Sequence, residues 1–239
     1  MRGEKCSLLL LTPSEDLALE ISSLFGGEVI WIPILGFEPV DGWEERLEEA
    51  LRSCGVVGFT SPRGVEVAAS RRDLFEDVIV YAVGPTTAQA VSSLLGVEPR
   101  MPSRYYSVQD LVEQAREDGA KCIVLARSQA ASSKPQVEGI EVREVALYRP
   151  IVRSEMVREA RSISADVAII TSSLIARAYC SGDINAKSIL AIGRETGREV
   201  LSRCPPLPTC IPRKPTRKGI ARSAHSLCRL VEGLHPGRE

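Results

Sequence analysis

The phrase VYAVGPTTAQAV at residues 80–91 returns in paler form as ILAIGRETGREV at 189–200. The echo extends well beyond these two phrases. A first copy runs WEERLEEALR, GVVGFTSPRGVEVAA, VYAVGPTTAQAV and VEPRMPSRYYSVQDLVEQA; a second runs SEMVREARSI, VAIITSSLIARAY, LAIGRETGREV and PTCIPRKPTRKGIARSA. Three landmarks keep step: Thr60 and Thr171 lie 111 residues apart, while Gly84 and Gly193, and Ser107 and Thr216, lie 109 apart. Such a chain is expected to fold as two homologous lobes, each reading helix–strand–helix–strand–helix–strand–helix.

Short apolar runs alternate with helix-period stretches, the pattern of an α/β protein with parallel sheets. Residues 1–36 and 121–150 fall outside the doubled core, and each reads strand, helix, strand. Each also ends in a long extended piece, EVIWIPILGFEPV (28–40) and EVREVALYRPIV (141–152), longer than an ordinary strand. The expected fold is therefore α/β, with two similar parallel-sheet lobes of the flavodoxin or Rossmann kind joined by a two-stranded β linker. Residues 1–36 plus 152–239 would form a discontinuous lobe, 43–140 an inserted one, and about 37–42 and 141–151 the linkers.

Composition excludes several function classes. Formal net charge is −1 over 239 residues, so no global field favours nucleic acid or a membrane surface. Charge is nevertheless uneven, with a net of −5 over residues 38–50 and +7 over 194–230. The basic stretch reads either as solvated helix faces or as the neighbourhood of an anionic ligand; it lacks the interleaved aromatics of a nucleic-acid binder. No apolar run approaches the ~20 residues that span a bilayer, and SLLLL at 7–11 is short for a signal-peptide core, so a cytoplasmic protein is expected. Seven scattered cysteines without a CxxC pair argue against a zinc site or a disulfide framework, with CPPLPTC (204–210) the one place for a small disulfide loop. Asparagine occurs once, at Asn185, a depletion seen in chains built for heat.

In each copy, strands ending in Gly or Thr-Ser run straight into helices. There the first-turn amides lack intrahelical partners and the helix dipole favours negative charge. Gly84 permits close approach, with Thr87 beyond it; Thr60, Ser61 and Arg63 follow another strand. Ser172, Gly193 and Thr196 repeat the geometry in the second copy. One such junction is ordinary capping, but strand C-terminal edges in open α/β sheets are where ligands bind, and a ring of helix ends suits a polyanion. Neither G-x-G-x-x-G nor a P-loop is present. The two histidines, His225 and His235, crowd the C-terminus, so a histidine base is not expected. Tyr148 sits in the second extended piece, where a phenol that keeps its proton at neutral pH is able to donate to a leaving oxygen. A non-catalytic two-lobed sensor of an anionic metabolite would share every feature except a need for that donor.

Taken together, PILGFEPV, GVVGFTSPRGVEVAA, YAVGPTTAQAV, LYRP, AIITSS and LAIGRETGREV resemble the uroporphyrinogen-III synthase family, in order and spacing, across nearly the whole chain. The resemblance implies cyclisation of the linear tetrapyrrole hydroxymethylbilane, with loss of water and inversion of ring D through a spiro intermediate. The substrate carries eight carboxylates, which suits paired collars of helix ends. No cofactor or metal is implied. The chain would act as a monomer, with no nucleic-acid or membrane partner, and would meet the upstream deaminase that makes its substrate. By position, Thr60 and Ser61 match the family's Thr-Ser junction, Thr87 its VGxxT threonine, and Ser172 and Thr196 the equivalents in the other lobe. Tyr148 matches the tyrosine held to assist departure of hydroxide, with Arg63 and the backbone at Gly84 and Gly193 as further carboxylate contacts. Two departures stand out: Arg194-Glu195 occupies a loop where many relatives have small residues, and TSSLI lacks a Pro often seen there.

Overall fold

The computed structural model of the chain describes residues 6–131 and 134–234. In chain order its first half contains β1 (Ser7–Leu11), α1 (Glu15–Phe25), β2 (Glu28–Ile32), β3 (Leu35–Pro39), α2 (Trp43–Cys54), β4 (Val56–Phe59), α3 (Pro62–Ala68), β5 (Ile79–Ala82), α4 (Pro85–Leu95) and α5 (Val108–Glu117). A 3-10 stretch, Ala69–Phe75, follows α3. The second half contains β6 (Cys122–Ser128), β7 (Glu141–Val152), α6 (Ser154–Ser162), β8 (Val167–Ile170), α7 (Ser173–Tyr179), β9 (Ile189–Ala191), α8 (Arg194–Arg203), β10 (Thr209–Cys210) and α9 (Arg217–Leu234). The chain divides into two compact units, Met1–Gly36 with Ile151–Glu239, and Phe37–Pro150.

The first unit carries a sheet of order β10-β9-β8-β1-β2, with its strand pairs parallel. The central β1 explains the run SLLLL. Leu8, Leu9, Leu10 and Leu11 are all fully buried. Leu9 and Leu11 enter the core beneath α6, α7 and α8, while Leu8 and Leu10 enter the core beneath α1 and α9. A parallel strand covered on both faces reads as an unbroken apolar run, and each leucine so buried contributes about 1.5–3 kcal/mol. Asp166, just before β8, ties that strand's start to β1 by accepting from the Ser7 amide at 2.8 Å and hydroxyl at 3.1 Å, and from Lys187 Nζ at 2.7 Å.

The second unit carries a sheet of order β3-β7-β6-β4-β5. The β4–β5, β4–β6 and β6–β7 pairs are parallel. Trp43, Leu47, Val65 and Val91 place α2, α3 and α4 over one face, and Leu111, Val112 and Ala115 place α5 over the other. Beyond β5 the sheet gains only a one-residue bridge, Tyr81 with Arg100. The sequence suggested a full third strand in each copy; Arg100 and the two-residue β10 are what form.

Numbered within its own unit, the first sheet runs 2-1-3-4-5, the flavodoxin-like order. The second sheet has the same order once counting starts at β6, so β6, β7, β4, β5 and Arg100 answer β1, β2, β8, β9 and β10. The two units are circular permutants of one plan. That is why the sequence repeat opens at Trp43, near the start of the Phe37–Pro150 unit, but at Ser154 in the other, after β1, α1 and β2.

The two crossing segments pair with each other. Val40 N donates to Leu147 O at 3.0 Å and Arg153 N to Ile34 O at 2.8 Å, an antiparallel register between β3 and β7. The expected extended piece over 28–40 is broken, because β2 ends at Ile32 and β3 starts at Leu35. Pro33 lacks the N–H a ladder needs, and the Ile34 amide turns back to Ile32 O at 3.0 Å.

The cysteines correct the sequence reading. Three disulfides form: Cys6–Cys228, Cys54–Cys122 and Cys180–Cys204, with Cα–Cα distances of 5.8, 5.4 and 4.7 Å. Cys204 therefore pairs with Cys180 rather than closing the CPPLPTC loop, and Cys210 is left free. The bridge partners lie 222, 68 and 24 residues apart, and no local spacing motif announces such pairs. Among the described residues no helix is long and apolar enough to cross a membrane.

Candidate functional site

In the second unit, β4 ends at Phe59 and the chain passes through Thr60 and Ser61 into α3. Ser61 is an extended N-cap whose Oγ accepts from Gly64 N at 3.2 Å, and Pro62 opens the helix, where a missing N–H costs nothing. Thr60 Oγ1 reaches Ala126 O of β6 at 3.5 Å. The first unit repeats this bond, Thr171 Oγ1 donating to Leu11 O of β1 at 2.8 Å. Both threonines thus tie the strands flanking the point where strand order reverses, which is where open α/β sheets bind ligands.

Tyr148 is brought to this edge by an irregularity. Along β6 and β7 the register runs Arg127 with Ala146 and then jumps to Ser128 with Tyr148. The extra residue, Leu147, breaks the two-residue alternation, so Val145, Leu147 and Tyr148 all join one core cluster. Bulges of this kind re-aim side chains. The Tyr148 ring is buried to 7% exposure, and its hydroxyl lies 2.9 Å from Ser61 Oγ. Phe37 of β3 packs edge-on against it, with centroids 5.8 Å apart at 80°. The Arg63 guanidinium sits over the other ring, 5.2 Å from the Phe37 centroid, and pairs with Glu66. Sequence reasoning missed Phe37; the one available signal was its place in a strand that had to run beside Tyr148.

The adjoining junction is β5 to α4. Gly84 is its N-cap, with no side chain to cap the first amides. Three residues on, Thr87 is only 2% exposed, so it shapes the first turn rather than projecting from it. Arg100 hydrogen-bonds both ways to β5 and pairs with Asp118 at 3.2 Å, while the Tyr81 hydroxyl donates to Asp118 at 2.6 Å. Burial, and then the Asp118 bond, push the Tyr81 phenol up to about 12. The Tyr81 hydrogen bond in turn holds the Asp118 carboxyl below its ordinary range.

The first unit offers the same junctions with different dressing. Ser172 caps α7, accepting from Ile175 N at 3.2 Å. Gly193 caps α8 without a side chain, and Thr196 is 6% exposed, matching Thr87. Arg194 and Glu195 are both exposed. Glu199 of α8 pairs with Arg177 of α7 and with Arg203, and the Arg177 bond followed by the Arg203 bond draws its carboxyl down to about 2. Beside the end of β9 a cavity of about 890 Å³ is lined by Ile192, Thr216, Arg217 and Lys218 among others. Of the nine basic residues of the 194–230 stretch, Arg217 and Lys218 border this cavity and Arg203 pairs with Glu199. His225 stacks on Phe25 at 4.6 Å, away from these junctions, and His235 lies outside the described residues. Among the described residues no group of three or more His, Cys, Asp or Glu side chains is arranged to hold a metal ion.

The structure thus gathers Thr60, Ser61, Arg63 and Tyr148 around one junction, with Gly84 and Thr87 at the next; Ser172, Gly193 and Thr196 belong to the other unit. A uroporphyrinogen-III synthase from Helicobacter pylori has a similar fold, with a TM-score of 0.56 at 14% identity over 93% of this chain and 99% of that one. A selenomethionine mutant of the Thermus thermophilus uroporphyrinogen III synthase aligns over 94% of this chain and 99% of that one, at 14% identity and a TM-score of 0.49. No curated protein sequence matches the chain. The family model of uroporphyrinogen-III synthase HemD matches residues 16–222, and the chain accordingly belongs to the uroporphyrinogen-III synthase family.

Proposed function

We propose that the chain carries out its family's cyclisation of hydroxymethylbilane with Tyr148 as the proton donor and the uncapped helix ends as carboxylate grips. The observation that carries this reading is the Tyr148 hydroxyl 2.9 Å from the N-cap hydroxyl of Ser61, on a strand bulged at that point. Electron density from the terminal pyrrole nitrogen expels the hydroxyl group as the carbon–oxygen bond breaks, and the phenol proton converts it to water. With Ser61 Oγ–H donating to the phenol oxygen, the phenolate that forms is stabilised. The methylene carbon so freed bonds to the substituted α-carbon of ring D. In that spiro intermediate the bond from this carbon to its original methylene breaks, and the methylene bonds instead to the unsubstituted α-carbon of ring D. The hydrogen there leaves as the proton that the phenolate recovers, so water is the only by-product.

Inversion needs restraint more than acid strength. The azafulvene cation closes unaided to the uninverted ring, so the protein must hold ring D with its substituted carbon presented for attack. In the Phe37–Pro150 unit the uncapped amides at Gly84, in a first turn shaped by Thr87, and the remaining donors of the Thr60–Ser61 junction serve carboxylates of the substrate; Gly193, Thr196 and Ser172 repeat these features in the other unit. Each helix end contributes roughly 0.3–1 kcal/mol toward an anion. Arg63, over Phe37, adds a cation. The chain works without a cofactor in this scheme, as a monomer taking its substrate from the upstream deaminase; a cytoplasmic location goes with its three disulfides as in intracellular proteins of hyperthermophiles.

The test supplies hydroxymethylbilane from that deaminase, oxidises the products and resolves type I from type III porphyrin. Type III in excess of the protein-free blank is the expected result. Type I alone, at the blank's rate, would leave the chain a binding protein and refute the assignment.

A further inference from the structure

Of the Phe, Trp and Tyr side chains among the described residues only two are exposed, and they are neighbours: Tyr105 at 73% and Tyr106 at 63%. Neither belongs to any core cluster. Exposing two large rings side by side forgoes burial that most tyrosines obtain, and the loop that carries them is not loose. It leaves from Arg100, fixed to β5 and Asp118; the Ser103 amide is held by Gln114 Oε1 at 3.2 Å; and it ends at Ser107, the N-cap of α5. The Tyr106 ring lies against Gly84. A Cβ added there would stand 3.2 Å from both Cβ and Cγ of Tyr106, so the glycine at the head of α4 makes room for this ring.

The internal repeat sharpens the point. Ser107 corresponds to Thr216, so Tyr105-Tyr106 corresponds to Lys214-Pro215. Two edges built on one plan thus differ at the same place, aromatic in one unit and cationic in the other. Carboxylate grips hold the substituents of a pyrrole but leave the plane of the ring free to tilt. Fixing that plane needs a surface that meets the ring face.

We propose that Tyr105 and Tyr106 form a stacking platform for one pyrrole ring of the linear substrate, seated beside the Gly84 end of α4. This rests on the reading given under Proposed function. Pyrrole is electron-rich and flat, and offset or edge-on contact with phenol rings suits it. The platform fixes the plane of one ring while amides take its carboxylates. It is a positioning device, with no part in proton transfer.

The experiment compares Tyr105→Leu, Tyr105→Phe and the paired Tyr105→Leu/Tyr106→Leu and Tyr105→Phe/Tyr106→Phe variants in the porphyrin isomer assay, with melting curves for each. Leucine keeps apolar area and removes the ring; phenylalanine keeps the ring and removes the hydroxyl. The expected result is a KM raised about 3–10-fold by each Leu variant, with kcat changed less than twofold, and near wild-type KM for the Phe variants. Tyr105 is so exposed that its variants should melt with the wild type, which separates lost stacking from lost folding. Wild-type KM in the Leu variants, or Phe variants as impaired as Leu, would overturn the platform. Absence of type III product from the wild type itself would instead overturn the functional reading beneath it.

Discussion

Replacing Tyr148 by Phe separates acid catalysis from architecture. The ring is packed against Phe37 and the core of its unit, and Phe fills the same space. What is lost is one hydroxyl and its bond to Ser61 Oγ at 2.9 Å. Ser61 keeps its cap bond from Gly64 N at 3.2 Å, so α3 retains its start. A neutral hydrogen bond of this kind contributes about 1 kcal/mol, which in a unit of this size lowers the melting temperature by about 3–5 °C. Loss of a positioned general acid costs about 10²-fold in kcat, equivalent to roughly 2.7 kcal/mol of barrier, with KM little changed. The assay is the initial rate of type III formation from hydroxymethylbilane generated in place, with spontaneous type I closure subtracted, alongside a thermal melt. A variant with kcat within twofold of wild type would refute the proton-donor role. A melting temperature lowered by more than about 10 °C would show that the hydroxyl is structural.

Ser61→Ala should lower kcat about tenfold and stability by ~1 kcal/mol, since one atom serves both as cap and as the phenol's partner; a melt shift with unchanged kcat would mean that only the cap matters. Thr87→Ala and Ser172→Ala should each give partial losses, and complete loss from either in a folded protein would contradict a grip spread over many contacts. Thiol labelling of the unfolded, unreduced protein should tag one cysteine per chain, Cys210, and all seven after reduction; reduction should lower stability by about 2–4 kcal/mol per bridge. Asp166 is partly desolvated, which by itself raises its pKa, yet bonds from Lys187 and then Ser7 outweigh this and leave the carboxyl below its ordinary value. Its contribution is therefore complete above the unfolded carboxylate range and lost as pH falls through the lower folded value. Wild type should lose stability across that acid window more steeply than Asp166→Asn, and parallel curves would refute the assignment.

The doubled phrases made the α/β class and the paired sheets legible, because strand-to-helix junctions carry their own local chemistry in Gly, Pro, Thr and Ser. Strand order was not legible. SLLLL and VVGF are equally apolar, and nothing in either says that β1 pairs with β8 while β4 pairs with β6. The permuted plan emerges only from those long-range pairings. The candidate site divides in the same way. Ser61, Gly84, Ser172 and Gly193 stand at junctions the sequence marks, whereas the Ser61–Tyr148 bond joins residues 87 apart through a register shift that no sequence pattern records. Phe37, Tyr105 and Tyr106 passed unremarked because an aromatic residue in a strand or loop is ordinarily read as packing. The disulfides were missed because their partners are distant in the chain.

The seat of β1 at the centre of its sheet has a consequence for how the molecule is made. Its four leucines leave the ribosome well before β8, which closes one side of that strand and follows only after Phe37–Pro150 has been synthesised. At about 5–20 residues per second the nascent chain waits roughly 8–30 s with that segment lacking its neighbour. The interrupting unit holds all its own strands and can close during the wait. β1 is therefore made long before its sheet can close, and its leucines wait for a strand from the far side of the interruption.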